Sequence, residues 1–306
     1  MNQNKNTIKT IPDYQKNLLG KGNSVNFSLY FPRMVSWELE HGDGKLQKYT
    51  GEEIKHDKYG NIVTNKKTGK PKWEKQNDDY IEELSKAGNR LLKQASLLLS
   101  NIHKHQKDYI DFLKSEGIAT IKIEAKTISP FITGLGSGHP TETGMILDRN
   151  TGVPYIPASS VKGVFRLACA INIAKKKGIS EVNLNDEVLV KYFGAESDSN
   201  PKRGQLVILD VYPKTISGLQ VDIMNPHFQK YYDGTNKQPV ETESPIPIKF
   251  LTVPKGTEFV FNLAYIPLKK EDKCDEAELK KIINTAFENV GFGGKTSIGY
   301  GRFKEI

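Results

Sequence analysis

The chain switches several times between an apolar period of three to four residues and one of two. Residues 79–115 carry Ile81, Leu84, Leu91, Leu92, Ala95, Leu98, Leu99, Ile102, Tyr109, Ile110 and Leu113 at helical spacing. Gly88 weakens the middle, which leaves one long helix or two, and Gly117 stops the pattern. "IATIKIEAK" (118–126) then alternates, with Ile121, Ile123 and Ala125 on one face of a strand. After a glycine-rich loop over 134–152, "SSVKGVFRLACAINIAKKK" (159–177) is helical, with Val161, Val164, Phe165 and Ala168 on one side. "QLVILDVYP" (205–213) and "TEFVFNLAYIP" (257–267) read as buried strands. "DEAELKKIINTAFENVG" (275–291) is an amphipathic helix with Leu279, Ile282, Ile283, Ala286, Phe287 and Val290 inward. Asp275 followed by Glu278 reads as its capping box, and Gly291 ends it. "TSIGYGRF" (296–303) predicts a short last strand.

The order is β-α-β-β-α-β. It predicts an α+β, ferredoxin-like (RRM-like) core: a four-stranded antiparallel sheet with two helices on one face. The core domain spans 118–306, with residues 214–256 as a large insertion between the second and third core strands. Residues 1–117 form an N-terminal extension. That fold serves many functions and names none by itself.

Charge adds a direction. The formal net charge is +8 over 306 residues, a balance that suits polyanionic partners. Residues 41–75 hold nine lysines and five acids. There "KYGNIVTNKKTGKPKW" (58–73) reads as an exposed hairpin or arm, either a solvated loop or a binding element. The two cysteines, Cys169 and Cys274, are far apart and have no partners at metal-ligand spacing. A disulfide framework and a thiolate zinc site are excluded, which fits a reducing cytoplasm. No metal and no cofactor is called for. Residues 1–20 lack the apolar core of a signal peptide, and no run of 18 apolar residues is present.

Two basic stretches carry the candidate chemistry. "GFGGKTSIGYG" (291–301) packs five glycines around a Lys-Thr-Ser. Gly294-Lys295-Thr296 matches the tail of a nucleotide P-loop, but Asn289 stands where that motif needs its first glycine. A helix also precedes this loop and a strand follows, the reverse of the P-loop order. Gly293 and Gly294 would instead let a sugar–phosphate backbone approach the main chain, with Lys295, Thr296, Ser297 and Arg302 as donors. The second stretch is "PYIPASSVKGVFR" (154–166). Ser159 or Ser160 can cap the following helix, and its N-terminus is an anion site. Lys162 and Arg166 project together at i, i+4, and cations so placed call for an anion close by.

Other groups stay open. His139, in the 133–152 loop, could act as a general acid or base in RNA cleavage or be an ordinary loop histidine. Glu142 reads as tying that loop together rather than as a base. Asp210 reads as a buried, hydrogen-bonded carboxylate at a strand end. His227, Tyr231 and Tyr232 could stack on bases or pack the insertion onto the sheet.

Taken in order, "GLGSGHPTETGMILDRNTGVPYIPASSVKGVFR", "LVILDVYP", "DIMNPHFQKYYDG", "ESPIPIKFLTV" and "GFGGKTSIGYGRF" resemble the RAMP superfamily, and within it the subunit-six family of the Cmr complex, the type III-B CRISPR effector. The likeness runs from about residue 118 to the C-terminus, and the lysine-rich 41–75 segment has no match in it. The resemblance implies a subunit that caps the backbone of the complex at the 3′ end of the guide RNA and serves RNA-guided antiviral defence. Its partners would be CRISPR guide RNA and target RNA, the backbone and small subunits, and the neighbouring RAMP subunit one. Target cleavage belongs to another subunit in that family, so no catalytic residue is implied. Two rivals follow: a metal-independent endoribonuclease that processes guide RNA with His139 as acid-base, and a pure scaffold whose basic patches meet acidic neighbours.

Overall fold

The computed structural model describes residues 37–39, 46–48, 52–54, 73–75 and 80–306, apart from 138–142, 196–200, 226, 233, 235–236, 240–246 and 270. Near the N-terminus, strands pair in twos: β1 (Trp37–Leu39) with β2 (Leu46–Lys48), and β3 (Glu52–Ile54) with β4 (Trp73–Lys75). The "NKKTG" turn expected at 65–69 lies outside the described residues.

The helical stretch is two helices, α1 (Tyr80–Gln94) and α2 (Ser96–Ser115). The break falls at Ala95 rather than Gly88. Gly117, at φ 74°, reverses the chain into β5 (Ala119–Thr127). After the loop comes α3 (Ala158–Lys177), ended by Gly178 in the left-handed conformation. α4 (Glu187–Phe193) follows, capped by the Asp186 side chain on the Val188 amide. A small ribbon then joins β6 (Gly194–Ala195) and β7 (Lys202–Arg203).

The strand expected at 205–213 is interrupted into β8 (Leu206–Ile208) and β9 (Tyr212–Pro213). Between them the chain turns to pair Val211 with Ile156, and Asp210 is freed from the ladder. The insertion supplies a two-stranded antiparallel ribbon of β10 (Gln220–Met224) and β11 (Ile248–Thr252), with the short helix α5 (Gln229–Tyr232) between them. β12 (Glu258–Tyr265) follows, then α6 (Glu276–Thr285). Asp275 Oδ1 accepts from the Glu278 amide at 2.9 Å, the cap the sequence proposed. A π-helical turn, Ala286–Val290, leads into the glycine loop. The predicted last strand shrinks to β13 (Phe303–Glu305). Thr296–Ile298 is instead a 3-10 turn, because the Ile298 and Tyr300 amides both close onto the Lys295 carbonyl.

The central sheet runs β13-β5-β12-β8, antiparallel throughout, with β9 also pairing β12. Alternation along β5 and β12 sends Ile123, Ala125, Phe259, Phe261 and Leu263 to one face, where α3 and α6 cover them. Phe131, Phe259, Phe261, Phe287, Phe292 and Phe303, none more than 2% exposed, meet there in mostly edge-on or tilted contacts. Each such ring buries on the order of 150–250 Å2. The opposite face is not open: α2 lies over part of it. The Asn262 side-chain amide donates to Gln106 Oε1 at 3.0 Å, and Gln106 Nε2 donates to the Asp210 carbonyl at 2.7 Å. His103 Nε2 sits 2.9 Å from the Pro213 carbonyl. Two helices on one face was therefore an incomplete picture. A third packs on the other side, through buried Leu99, Ile110 and Leu113 as well as these polar contacts.

Candidate nucleic-acid interface

The glycine loop between Gly291 and Gly301 is tied down at both ends. Phe292 N donates to Gly301 O, Gly301 N to Pro130 O and Gly294 N to Ile132 O, each at 2.9 Å. These short crossings explain most of the glycines. A Cβ on Gly293 would sit 1.9 Å from the Ile132 carbonyl, and one on Gly301 would sit 1.9 Å from the Phe292 carbonyl. Both have positive φ, 80° and 66°. Close approach of the protein's own backbone, more than of a ligand, requires these positions. Gly294 and Gly299 meet no such crowding.

What the loop displays is narrower than its composition suggested. The amides of Gly293, Lys295, Thr296 and Ser297 make no hydrogen bond among the described residues. Gly293 and Ser297 are exposed, while Lys295 and Thr296 are half-buried. Lys295 has φ 58°, a left-handed conformation rare for a side-chain-bearing residue. Its ammonium lies 5.9 Å from the centre of the Phe250 ring on β11. Arg302 is turned inward: Nη2 donates to the Thr296 carbonyl at 3.1 Å, and its own amide donates to Ser129 Oγ at 3.0 Å. It holds the loop's shape.

Three residues absent from the sequence reading brace the loop against the insertion. Tyr300 Oη donates to Asp222 Oδ2 at 2.6 Å, and the Tyr300 ring stands 6.3 Å from Phe250. The hydrogen bond to Asp222, with burial behind it, pushes the Tyr300 phenol up to about 12. The same ribbon carries His227, Tyr231 and Tyr232. All three are exposed, Tyr232 to 79%, and the two tyrosine rings meet edge-on at 5.4 Å. They are displayed rather than packed onto the sheet.

The start of α3 joins the loop through its buried side. Phe165 meets Phe292 at 6.1 Å, so the second turn of the helix adjoins the loop's entry. Ser159, Lys162 and Arg166 share a stripe at i, i+3 and i+7 on the side left uncovered. Ser159 is exposed, Lys162 and Arg166 are half-buried, and Ser160 is exposed beside them. Neither serine caps the helix. Pro157 stands at the cap, and the Ala158 amide donates instead to Asp210 Oδ1 at 2.7 Å. The anion that Lys162 and Arg166 called for is thus partly supplied by the protein. Asp210 is half-buried and hydrogen-bonded, as its place at a strand end suggested.

The remaining candidates divide. His139 and Glu142 lie outside the described residues. Asp148, also in that loop, is structural: Oδ1 accepts from the Asn150 and Thr151 amides and from Thr151 Oγ1, and Oδ2 accepts from Tyr212. Burial, reinforced by Asp148, pushes the Tyr212 phenol well above its usual range. Cys169 is buried among apolar neighbours, which pushes its thiol up to about 12 and makes it inert. Among the described residues no helix is long and apolar enough to cross a membrane.

Comparison with known proteins adds the following. Residues 124–304 match the model of the RAMP superfamily. The chain is similar to the CRISPR system Cmr subunit Cmr6 of Pyrococcus furiosus, at 30% identity across 94% of this chain and 97% of that protein. It is also similar to the CMR subunit Cmr6 of Saccharolobus solfataricus, at 24% identity across 66% of this chain and 64% of that one. Among solved structures, a chain of the type III-B Cmr-beta complex bound to cognate target RNA shares the fold. Its TM-score is 0.53 at 20% identity, covering 80% of this chain and 78% of that one.

Proposed function

The chain belongs to the RAMP superfamily and, within it, to the Cmr6 family, and from that premise we propose that it is a non-catalytic RNA-binding subunit of a type III-B CRISPR (Cmr) effector complex. Its core is of ferredoxin-like type, matching the β13-β5-β12-β8 order. It caps the backbone of the complex at the 3′ end of the guide RNA and contributes to RNA-guided antiviral defence. It sits beside the backbone and small subunits and RAMP subunit one, and meets guide and target RNA in the cytoplasm.

One observation carries the RNA-binding part. The glycine loop leaves the Gly293, Lys295, Thr296 and Ser297 amides without acceptors among the described residues, beside a helix stripe that ends in Lys162 and Arg166. Free amides in a tight turn and flanking cations suit phosphate oxygens, and such contacts position RNA without reading its sequence. The exposed Tyr231 and Tyr232, with His227, offer faces on which bases stack. The non-catalytic part is supported by how the nearby carboxylates are used. Asp148, Asp210 and Asp222 are all engaged in holding loops and a helix end.

The test is guide-RNA binding by the triple variant Lys162→Ala, Arg166→Ala, Lys295→Ala across a salt series. Loss of three phosphate contacts lowers the log–log salt slope by about 2, and affinity falls with it while the RNA is recovered uncleaved. Unchanged affinity and slope would refute the interface. Shortened RNA would refute the non-catalytic assignment.

A further inference from the structure

The tip of the glycine loop is held weakly by its own backbone. The Lys295–Tyr300 turn closes through the Ile298, Gly299 and Tyr300 amides at 3.2, 3.1 and 3.3 Å, the long end of the usual range. Lys295 also keeps a left-handed backbone, which a side-chain-bearing residue holds only where its surroundings fix it. The fixing comes from the insertion ribbon. Asp222 on β10 and Phe250 on β11 stand directly opposite each other in the ladder, so their side chains share one face of the ribbon. That face meets the loop. Asp222 Oδ2 accepts from Tyr300 Oη at 2.6 Å. Phe250 is buried, with its ring 6.3 Å from that of Tyr300 and 5.9 Å from the Lys295 ammonium. Tyr300 and Lys295 are themselves joined, since the Tyr300 amide donates to the Lys295 carbonyl.

The ribbon is anchored in turn. Asp222 Oδ1 accepts from the Ile223 amide at 2.8 Å, which orients the carboxylate. Leu219, just before β10, donates its amide to Asn89 Oδ1 at 2.6 Å and accepts from Ser85 Oγ at 3.0 Å, both on α1. Lys249 Nζ on β11 bonds Glu82 Oε1, also on α1, at 3.2 Å. A line of contacts thus runs from α1 through the ribbon to the loop.

We propose that Asp222 and Phe250 are positioning residues for RNA: acting through Tyr300 and Lys295, they hold the glycine loop with its Lys295, Thr296 and Ser297 amides and its ammonium set for phosphate oxygens. It rests on the reading that this loop binds RNA. A direct contact between Asp222 and RNA has the wrong charge, because a carboxylate repels a phosphate strand. Both its oxygens are engaged as well. Field and positioning therefore differ in sign. Through its field alone, loss of Asp222 tightens RNA binding. Through positioning it weakens binding, because the loop is in its binding shape less of the time and apparent affinity falls with that fraction.

The experiment measures guide-RNA binding by the full chain across a salt series, with Lys295→Ala as reference. Lys295→Ala is expected to weaken binding and lower the log–log slope by about 0.7, the share of one single-strand contact. Asp222→Ala and Tyr300→Phe are each expected to weaken binding about tenfold with the slope unchanged, the scale of a hydrogen bond to a charged group. Combined, they weaken it no more than either alone, since both break one bond. Asp222→Asn loses the charge and keeps an acceptor for Tyr300, so it binds as tightly as the wild type or more so. Phe250→Leu keeps the site apolar and weakens binding about threefold by removing the cation–π contact. Tyr300→Phe removes one oxygen and reads the same bond should Asp222→Ala fail to fold. If either variant binds as the wild type or tighter while Lys295→Ala is impaired, the positioning role is overturned and the loop's RNA contact stands. Asp222→Asn as weak as Asp222→Ala overturns it too, because an acceptor for Tyr300 would then not restore the loop. Lys295→Ala with unchanged affinity and slope removes the reading of the loop and this inference with it.

Discussion

The two faces of the central sheet are written by the same strands and are opposite in character. Along β5, Ile123, Ala125 and Thr127 are buried, and between them Lys122, Glu124 and Lys126 face the other way. Along β12, Phe259, Phe261 and Leu263 enter the aromatic cluster, while Val260 and Asn262 meet α2. One face is sealed by apolar helix surfaces. The other is covered by a helix that reaches it through His103 and Gln106 as well as buried Leu99, Ile110 and Leu113, and that leaves a lysine-lined trough. A strand with period two can thus present an apolar core face and a polar, charged face at once. The difference teaches which substitutions the fold tolerates: those on the apolar face should move folding strongly, and those on the polar face should move it little.

The sharpest break of that separation comes from Phe261. It is fully buried and stands within 5.0–5.7 Å of the rings of Phe287, Phe292 and Phe303. Phe261→Ala is expected to cost about 3–5 kcal/mol in urea unfolding, because little around it can collapse into the hole. A loss under about 1 kcal/mol would mean that the aromatic cluster is not the core of the fold.

How much of this was legible beforehand depended on how local each cause was. β5, α3, β12 and the start of α6 were placed within a residue or two, since periodicity and capping residues act over one element. The placement of α2 was not legible. Its apolar residues lie all round the helix, so Leu98 and Tyr109 looked like core positions and are exposed. The contacts that orient it, Gln106 with Asp210 and with Asn262, join residues more than a hundred positions apart. Asp210 capping α3 from 52 residues away is of the same kind, and it displaced Ser159 and Ser160 from that role. In the loop, the run of glycines was visible, but its main cause was not: Gly293 and Gly301 are needed where backbone crosses backbone. Arg302 looked like a phosphate ligand from composition alone, and its inward turn follows from a carbonyl, Thr296 O, that no side-chain pattern reports.

A smaller effect tests whether the outer face contributes to folding through its charges. The hydrogen bond from Lys122, joined by that from Lys214, holds the Glu124 carboxyl down at about 2 against an ordinary 4.5. A folded pKa below the unfolded one means stability that is present above about pH 4.5 and lost as pH falls through about 2. Glu124→Gln is expected to lower stability at pH 7 by about 1 kcal/mol or less, the range of partly exposed pairs. The gap between variant and wild type should narrow as pH falls toward 2 and close below it. A gap at pH 2 as large as that at pH 7 would show that Glu124 acts by packing rather than by charge.

The smallest shift has an unusual sign and therefore discriminates best. Lys126 and Lys304 oppose each other across β5 and β13, and Glu258 lies opposite Lys126 on the other side. Lys304→Glu replaces a like-charge pair by an opposite one, which should raise thermal stability by about 0.5 kcal/mol. Calorimetry on the single variant reads the gain. A loss of stability in its place would show that Lys304 supports the sheet by packing more than it opposes it by charge.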